Sequence, residues 1–124
     1  MIALATVATV LSFGLGVART PYLGVACHRA NSTSCGRVGI AVWLRGNPTR
    51  VEATVGHVTV RLQKQKWANG ETPWIGYAHL PLRAMGLPVG WTGPAIRLLL
   101  HLRVRRAGVR RTGTAPVLLS PGWG

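Results

Sequence analysis

Thirteen residues, Arg50 to Leu62 (RVEATVGHVTVRL), constrain the fold more than any other stretch of this chain. Apolar side chains recur at every second position on both sides of Gly56-His57, and a period of two belongs to a strand. With Gly56 in the first central position of a type II′ turn, a two-residue hairpin sets Val55 against Val58, Ala53 against Val60 and Val51 against Leu62. All six then share one face. The other face pairs Thr54 with Thr59 and Glu52 with Arg61, a hydroxyl pair and an opposite-charge pair directly across the ladder. Both faces are satisfied in one register, which an accidental reading of GC-rich DNA would rarely achieve. The register also makes Glu52 a cross-strand partner and His57 a turn residue.

The same period governs much of the remaining chain. Gly39 to Leu44 (GIAVWL) reads as a buried strand closed by the turn cluster Arg45-Gly46-Asn47-Pro48. Ile96 to Val104 (IRLLLHLRV) places Ile96, Leu98, Leu100, Leu102 and Val104 on one face; Arg105-Arg106-Ala107-Gly108 turns it, and Val109 to Thr114 returns. That return needs a bulge to keep Arg111 off the inner face. A last apolar run covers Ala115 to Ser120. Residues 63 to 95, rich in Gly and Pro, read as loops and short edge strands with one helical turn around Leu82 to Met85. Trp67, Trp74, Tyr77 and Trp91 in that stretch suit caps at the ends of a core better than a carbohydrate platform. No window gives an amphipathic helix. Six or seven short strands without crossover helices predict an all-β fold, an antiparallel β-sandwich with immunoglobulin-like topology, preceded by an N-terminal apolar helix.

That helix is expected from Ile2 to Ala18, an uncharged run of 17 residues that would span about 25 Å. The length lies between a signal-peptide core and a membrane span. Gly16-x-Ala18 supplies a small-x-small cleavage pattern, so residues 1–18 are expected to be a signal peptide or membrane anchor and residues 19–124 the sandwich domain. No basic residue precedes the run, as a start assigned too far downstream would produce, and Arg19, Arg29 and Arg37 follow it, opposite to the usual orientation bias.

Charge excludes much chemistry. Fifteen Lys plus Arg stand against two acids, Glu52 and Glu71, for a net charge of +13. Glycosidase carboxylate pairs, Ser-His-Asp triads and hard-cation sites all need acids that the chain lacks. Neither the phosphate-binding nor the dinucleotide-binding glycine pattern is present. No enzyme and no cofactor is expected. Cationic excess instead fits an anionic partner, and the run RVRRAGVRR supplies the candidates Arg103, Arg105, Arg106, Arg110 and Arg111. Those arginines could face phosphates with a steep salt dependence, although no aromatic is interleaved with them. Anionic lipid headgroups are an equal match.

Cys27 and Cys35 bracket CHRANSTSC. Turn-forming Asn31-Ser32-Thr33-Ser34 between them and an apolar leader before them favour a local disulfide in an oxidising compartment. Closing so short a loop contributes about 2.5 kcal/mol by chain entropy. A zinc site on Cys27, His28 and Cys35 lacks paired short spacings and a fourth ligand, a redox pair favours Cys-x-x-Cys, and Asn31-Ser32-Thr33 is a glycan acceptor only in a eukaryotic secretory route. Arg19 and Pro21 between Cys27 and the apolar run speak against lipid attachment.

The run RTPYLGVAC, the second cysteine followed by GRVGIAVWL, and the terminal SPGWG resemble small exported or membrane-anchored proteins of high-GC actinobacteria, a group with no assigned function. The resemblance covers residues 19 to 44 and the last few residues, and implies an exported β-sandwich without an activity. Two functions are therefore expected to compete: an exported or membrane-anchored, secreted or cell-envelope domain with a binding or structural role, which touches the membrane through its N-terminal segment or an anionic envelope surface; and an intracellular basic protein that binds nucleic acid with the 103–111 arginine hairpin.

Overall fold

A computed structural model of the chain describes residues 16–26, 36–82 and 96–120. Seven strands account for most of them: β1 (Tyr22–Val25), β2 (Arg37–Val42), β3 (Arg50–Val55), β4 (Val58–Lys64), β5 (Trp74–His79), β6 (Ile96–Arg106) and β7 (Val109–Ser120). The hairpin of β3 and β4 has the register read from its sequence, from Val51↔Leu62 to Val55↔Val58. Gly56 has φ 61°, as the first central position of a type II′ turn requires.

The strands close on themselves in the order β1-β2-β5-β4-β3-β6-β7. Every pairing is antiparallel except the last, where β1 meets β7 in parallel at Leu23↔Leu119 and Gly24↔Ser120. The expected immunoglobulin-like sandwich is thus corrected to a closed β-barrel. One face buried and one face wet is the pattern of either architecture; the difference is made by the β1–β7 seam, a parallel pairing of strands far apart in sequence that no turn signal announces. Within the barrel, β6-β3-β4-β5 is a Greek key, three hairpin-linked strands with the fourth returning beside the first. β5, expected at an edge, lies between β2 and β4.

The interior is filled from every strand. Leu23, Ile40, Leu62, Leu100, Leu119, Val38, Val51 and Val104 are all fully buried, as a barrel of this size requires when side chains rather than ligand occupy its axis. Trp74 joins this core from β5. Trp67 does not cap the core; it lies against the outside, its ring 5.7 Å from that of Trp43 and nearly perpendicular to it. Trp91 and the turn expected at 82–85 beyond Leu82 lie outside the described residues.

The apolar helix expected from Ile2 to Ala18 does not extend through its last three residues; residues 1–15 lie outside those described. Gly16 has φ 72°, Val17 forms a β-bridge with Leu44, and the Ala18 N–H donates to the Trp43 carbonyl at 2.8 Å. A backbone ladder is satisfied here by a neighbouring chain segment, with Val17 buried in the core. Among the described residues, no helix is long and apolar enough to cross a membrane.

The β6–β7 hairpin runs without a bulge from Ile96↔Leu119 to Arg106↔Val109. Its turn is Ala107-Gly108, with φ 47° and 79°, the two positive values of a type I′ turn. Arg111 therefore does sit opposite inward-facing Val104, yet it is exposed while Val104 is buried. The geometry permits this because β7 pairs with β1 only at its C-terminal end. Away from that end β7 has no second neighbouring strand among the described residues, so its side chain at Arg111 is uncovered while β6 stays paired with β3.

Candidate functional site

Strand alternation and register together place side chains from four strands side by side on the outer surface. Arg50 of β3 is the partner of Arg105 on β6, which is the partner of Arg110 on β7. One row thus holds three arginines. In the next row Arg61 of β4 precedes Glu52, Arg103 and Thr112; in the third stand Thr59, Thr54, His101 and Thr114. The whole face carries one acid.

Glu52 is in register with Arg61, as read from sequence, but its ion pairs are elsewhere. Arg50 Nη2 lies 3.2 Å from Glu52 Oε2 and Arg103 Nη1 lies 3.5 Å from Oε1. The carboxylate sits between two guanidinium groups and pairs with both. Arg105 and Arg110 have no acidic partner among the described residues. Thr54 and Thr59 hydroxyls share a hydrogen bond of 2.7 Å. Two shallow grooves cross the face: one of ≈ 250 Å³ lined by Arg50, Glu52, Arg103, Arg105 and Arg110, and one of ≈ 300 Å³ among the threonines, His101 and Arg103.

Of the five arginines picked from sequence, Arg103, Arg105 and Arg110 meet on this face. Arg106 and Arg111 do not. Arg106 points to the barrel end, where its Nη2 donates to the Arg45 carbonyl at 2.9 Å, and burial holds its guanidinium pKa below the usual arginine value. It is a structural cap. Arg111 lies on the opposite side of the hairpin, across from Val104. Arg50, Arg61, Thr54 and Thr59 were missed because they belong to a different hairpin, and only the β3–β6 register joins the two. The alternation of each segment did carry the signal, since every one of these residues is at an outward position of its strand.

The side of the barrel formed by β1, β2 and β5 is different in character. Trp43, Ala41 and Ile75 form a small outer apolar cluster with Tyr22 and Trp67. Arg19 covers it, its guanidinium 4.0 Å from the Trp43 ring centre and 2.7 Å from Glu71 Oε2. Arg37 stacks on Tyr77 at 4.2 Å. Glu71 is thereby consumed in an ion pair, and Asn69 Nδ2 donates to its other oxygen at 2.6 Å.

Cys27, Cys35 and His28 lie outside the described residues, so the expected disulfide falls there too. Among the described residues no group of three His, Cys, Asp or Glu could hold a metal ion. No protein-family model, no curated protein and no solved structure matches the chain.

Proposed function

We propose that this chain is a non-catalytic binding domain of the cell envelope that holds a polyanion on the outer face of β4, β3, β6 and β7. The observation that carries this reading is the row Arg50–Arg105–Arg110. Like charges directly across a ladder destabilise it, and a phosphate bridging two guanidinium groups converts that repulsion into charge-assisted hydrogen bonds. The envelope location is supported by the uncharged run from Ile2 to Ala18 and by the resemblance to exported actinobacterial proteins. Scarcity of acids supports binding over hydrolysis, since the chain's two, Glu52 and Glu71, are both engaged by arginine.

The test is retention of the protein by immobilised inorganic polyphosphate as salt is raised. If about four arginines each displace a counterion, affinity falls about fiftyfold between about 50 and 200 mM salt. An Arg105→Gln, Arg110→Gln double variant should flatten that dependence. Salt-independent retention, or a variant that behaves as the parent, would sink the proposal. Cell fractionation with intact mass and thiol count tests the compartment: a soluble cytoplasmic protein with two free thiols is incompatible with export.

A further inference from the structure

The basic face also carries groups that charge alone does not use. Moving inward from the row Arg50, Arg105 and Arg110, two residues along each strand lead to Glu52, Arg103 and Thr112, and two more to Thr54, His101 and Thr114. Successive rows are about 7 Å apart. The hydroxyls of Thr54 and Thr59 engage one another. Those of Thr112 and Thr114, and the His101 imidazole, have no hydrogen-bond partner among the described residues, and all border the ≈ 300 Å³ groove.

These groups discriminate between polyanions. An uninterrupted phosphate chain would carry its negative charge across the Glu52 carboxylate in the middle row, where repulsion opposes it. Single-stranded nucleic acid binds largely by stacking bases on aromatic rings, and the face offers none. Among the described residues, Trp74 is inside the barrel, Trp43, Trp67 and Tyr22 form the outer cluster on the other side, and Tyr77 lies on β5 under Arg37. What suits a carboxylate, two hydroxyls and an imidazole is an uncharged unit bearing hydroxyl groups, which can both donate and accept.

We infer that the polyanion is a polymer alternating phosphate with hydroxylated units, a polyol or sugar phosphate, whose phosphate sits against Arg105 and Arg110 while the adjoining unit hydrogen-bonds Glu52, Thr112 and Thr114. It rests on the reading of this face as a polyanion site.

The experiment measures binding of the full chain to poly(glycerol phosphate), inorganic polyphosphate, duplex DNA and phosphatidylglycerol vesicles, matched in phosphate concentration at one ionic strength. Parent protein should prefer poly(glycerol phosphate) over each of the others by about tenfold, the worth of one or two net hydrogen bonds. Thr112→Val with Thr114→Val should erase that margin and leave polyphosphate binding unchanged, and the Thr→Ser pair should keep it. Valine suits an exposed strand position, and an unchanged melting temperature confirms that the barrel is intact. Equal affinity for poly(glycerol phosphate) and polyphosphate, or a margin that survives the valine pair, overturns the inference but spares the polyanion site. Tightest binding to DNA or to vesicles overturns it in favour of that class. Binding to no probe overturns both.

Discussion

A δ-methyl of Leu62 fills the space that a side chain on Gly76 would need, lying 2.5 Å from where a Cβ at position 76 would stand. This contact sits at the seam of β4 and β5, which share only the pairs Gln63↔Ile75 and Lys64↔Trp74. Past those pairs, packing rather than a ladder joins the two strands. Gly76→Ala forces Leu62 from its rotamer or parts the strands, and is expected to cost about 1–3 kcal/mol. Urea unfolding measures it. Leu62→Val in the Gly76→Ala background should recover part of the loss, so strict additivity of the two substitutions would show that the methyl is not the obstacle.

Ala107 is the one non-glycine residue with positive φ among those described, at 47°, in the turn between β6 and β7. A type I′ turn favours Asn-Gly because a Cβ is strained in the left-handed region and asparagine tolerates it best. Ala107→Asn is expected to stabilise the protein by about 0.5–1 kcal/mol. The urea midpoint should rise with an unchanged slope, and a midpoint that falls would mean that the tip contributes contacts the backbone does not reveal.

The β3–β4 hairpin was legible residue by residue because it is local: turn chemistry and alternation fix Val51↔Leu62, and the same alternation gave β6 its inward Leu100, Leu102 and Val104, though not its register with β7. What joins hairpins was not legible. The pairings Arg50↔Arg105 and Leu23↔Leu119 link segments far apart in sequence, and alternation says which face a residue occupies, not which strand it meets. For the same reason three of the five candidate arginines were found while Arg50 and Arg61 were not. β1 is four residues long with Gly24 in its middle, too short to show a period. The bulge expected for Arg111 failed on a different ground, since an inward position needs no apolar side chain where the strand has no second neighbour among the described residues.

Arg19 joins the segment before β1 to the outer wall by two contacts, its guanidinium over Trp43 and its Nη1 against Glu71. A solvent-facing cation–π contact contributes about 0.5–1 kcal/mol and an exposed ion pair less. Arg19→Ala is accordingly expected to lower stability by about 1 kcal/mol, and Arg19→Lys, which keeps charge but loses the planar stack, to fall between. Tryptophan emission supplies the second readout: uncovering Trp43 should shift it to the red in Arg19→Ala. A stability loss with no spectral change would place the effect away from that ring.

Arg105 stands between Arg50 and Arg110 in one cross-strand row. Each like-charged neighbour costs roughly 0.2–1 kcal/mol, so replacing the middle residue by a neutral one removes two repulsions at once. Arg105→Gln is expected to raise the melting temperature by a few degrees at low ionic strength, since about 1 kcal/mol shifts a domain of this size by about 4–8 °C. At about 1 M salt, where screening acts within about 3 Å, the gain should vanish. Added polyphosphate should reverse the order, stabilising the parent more than the variant because ligand binds only the folded face. A variant that is less stable than the parent at every salt concentration would mean that Arg105 has a structural role. Reversal by polyphosphate, together with the low-salt gain, would show an arginine held against the interest of the fold for the sake of what it binds.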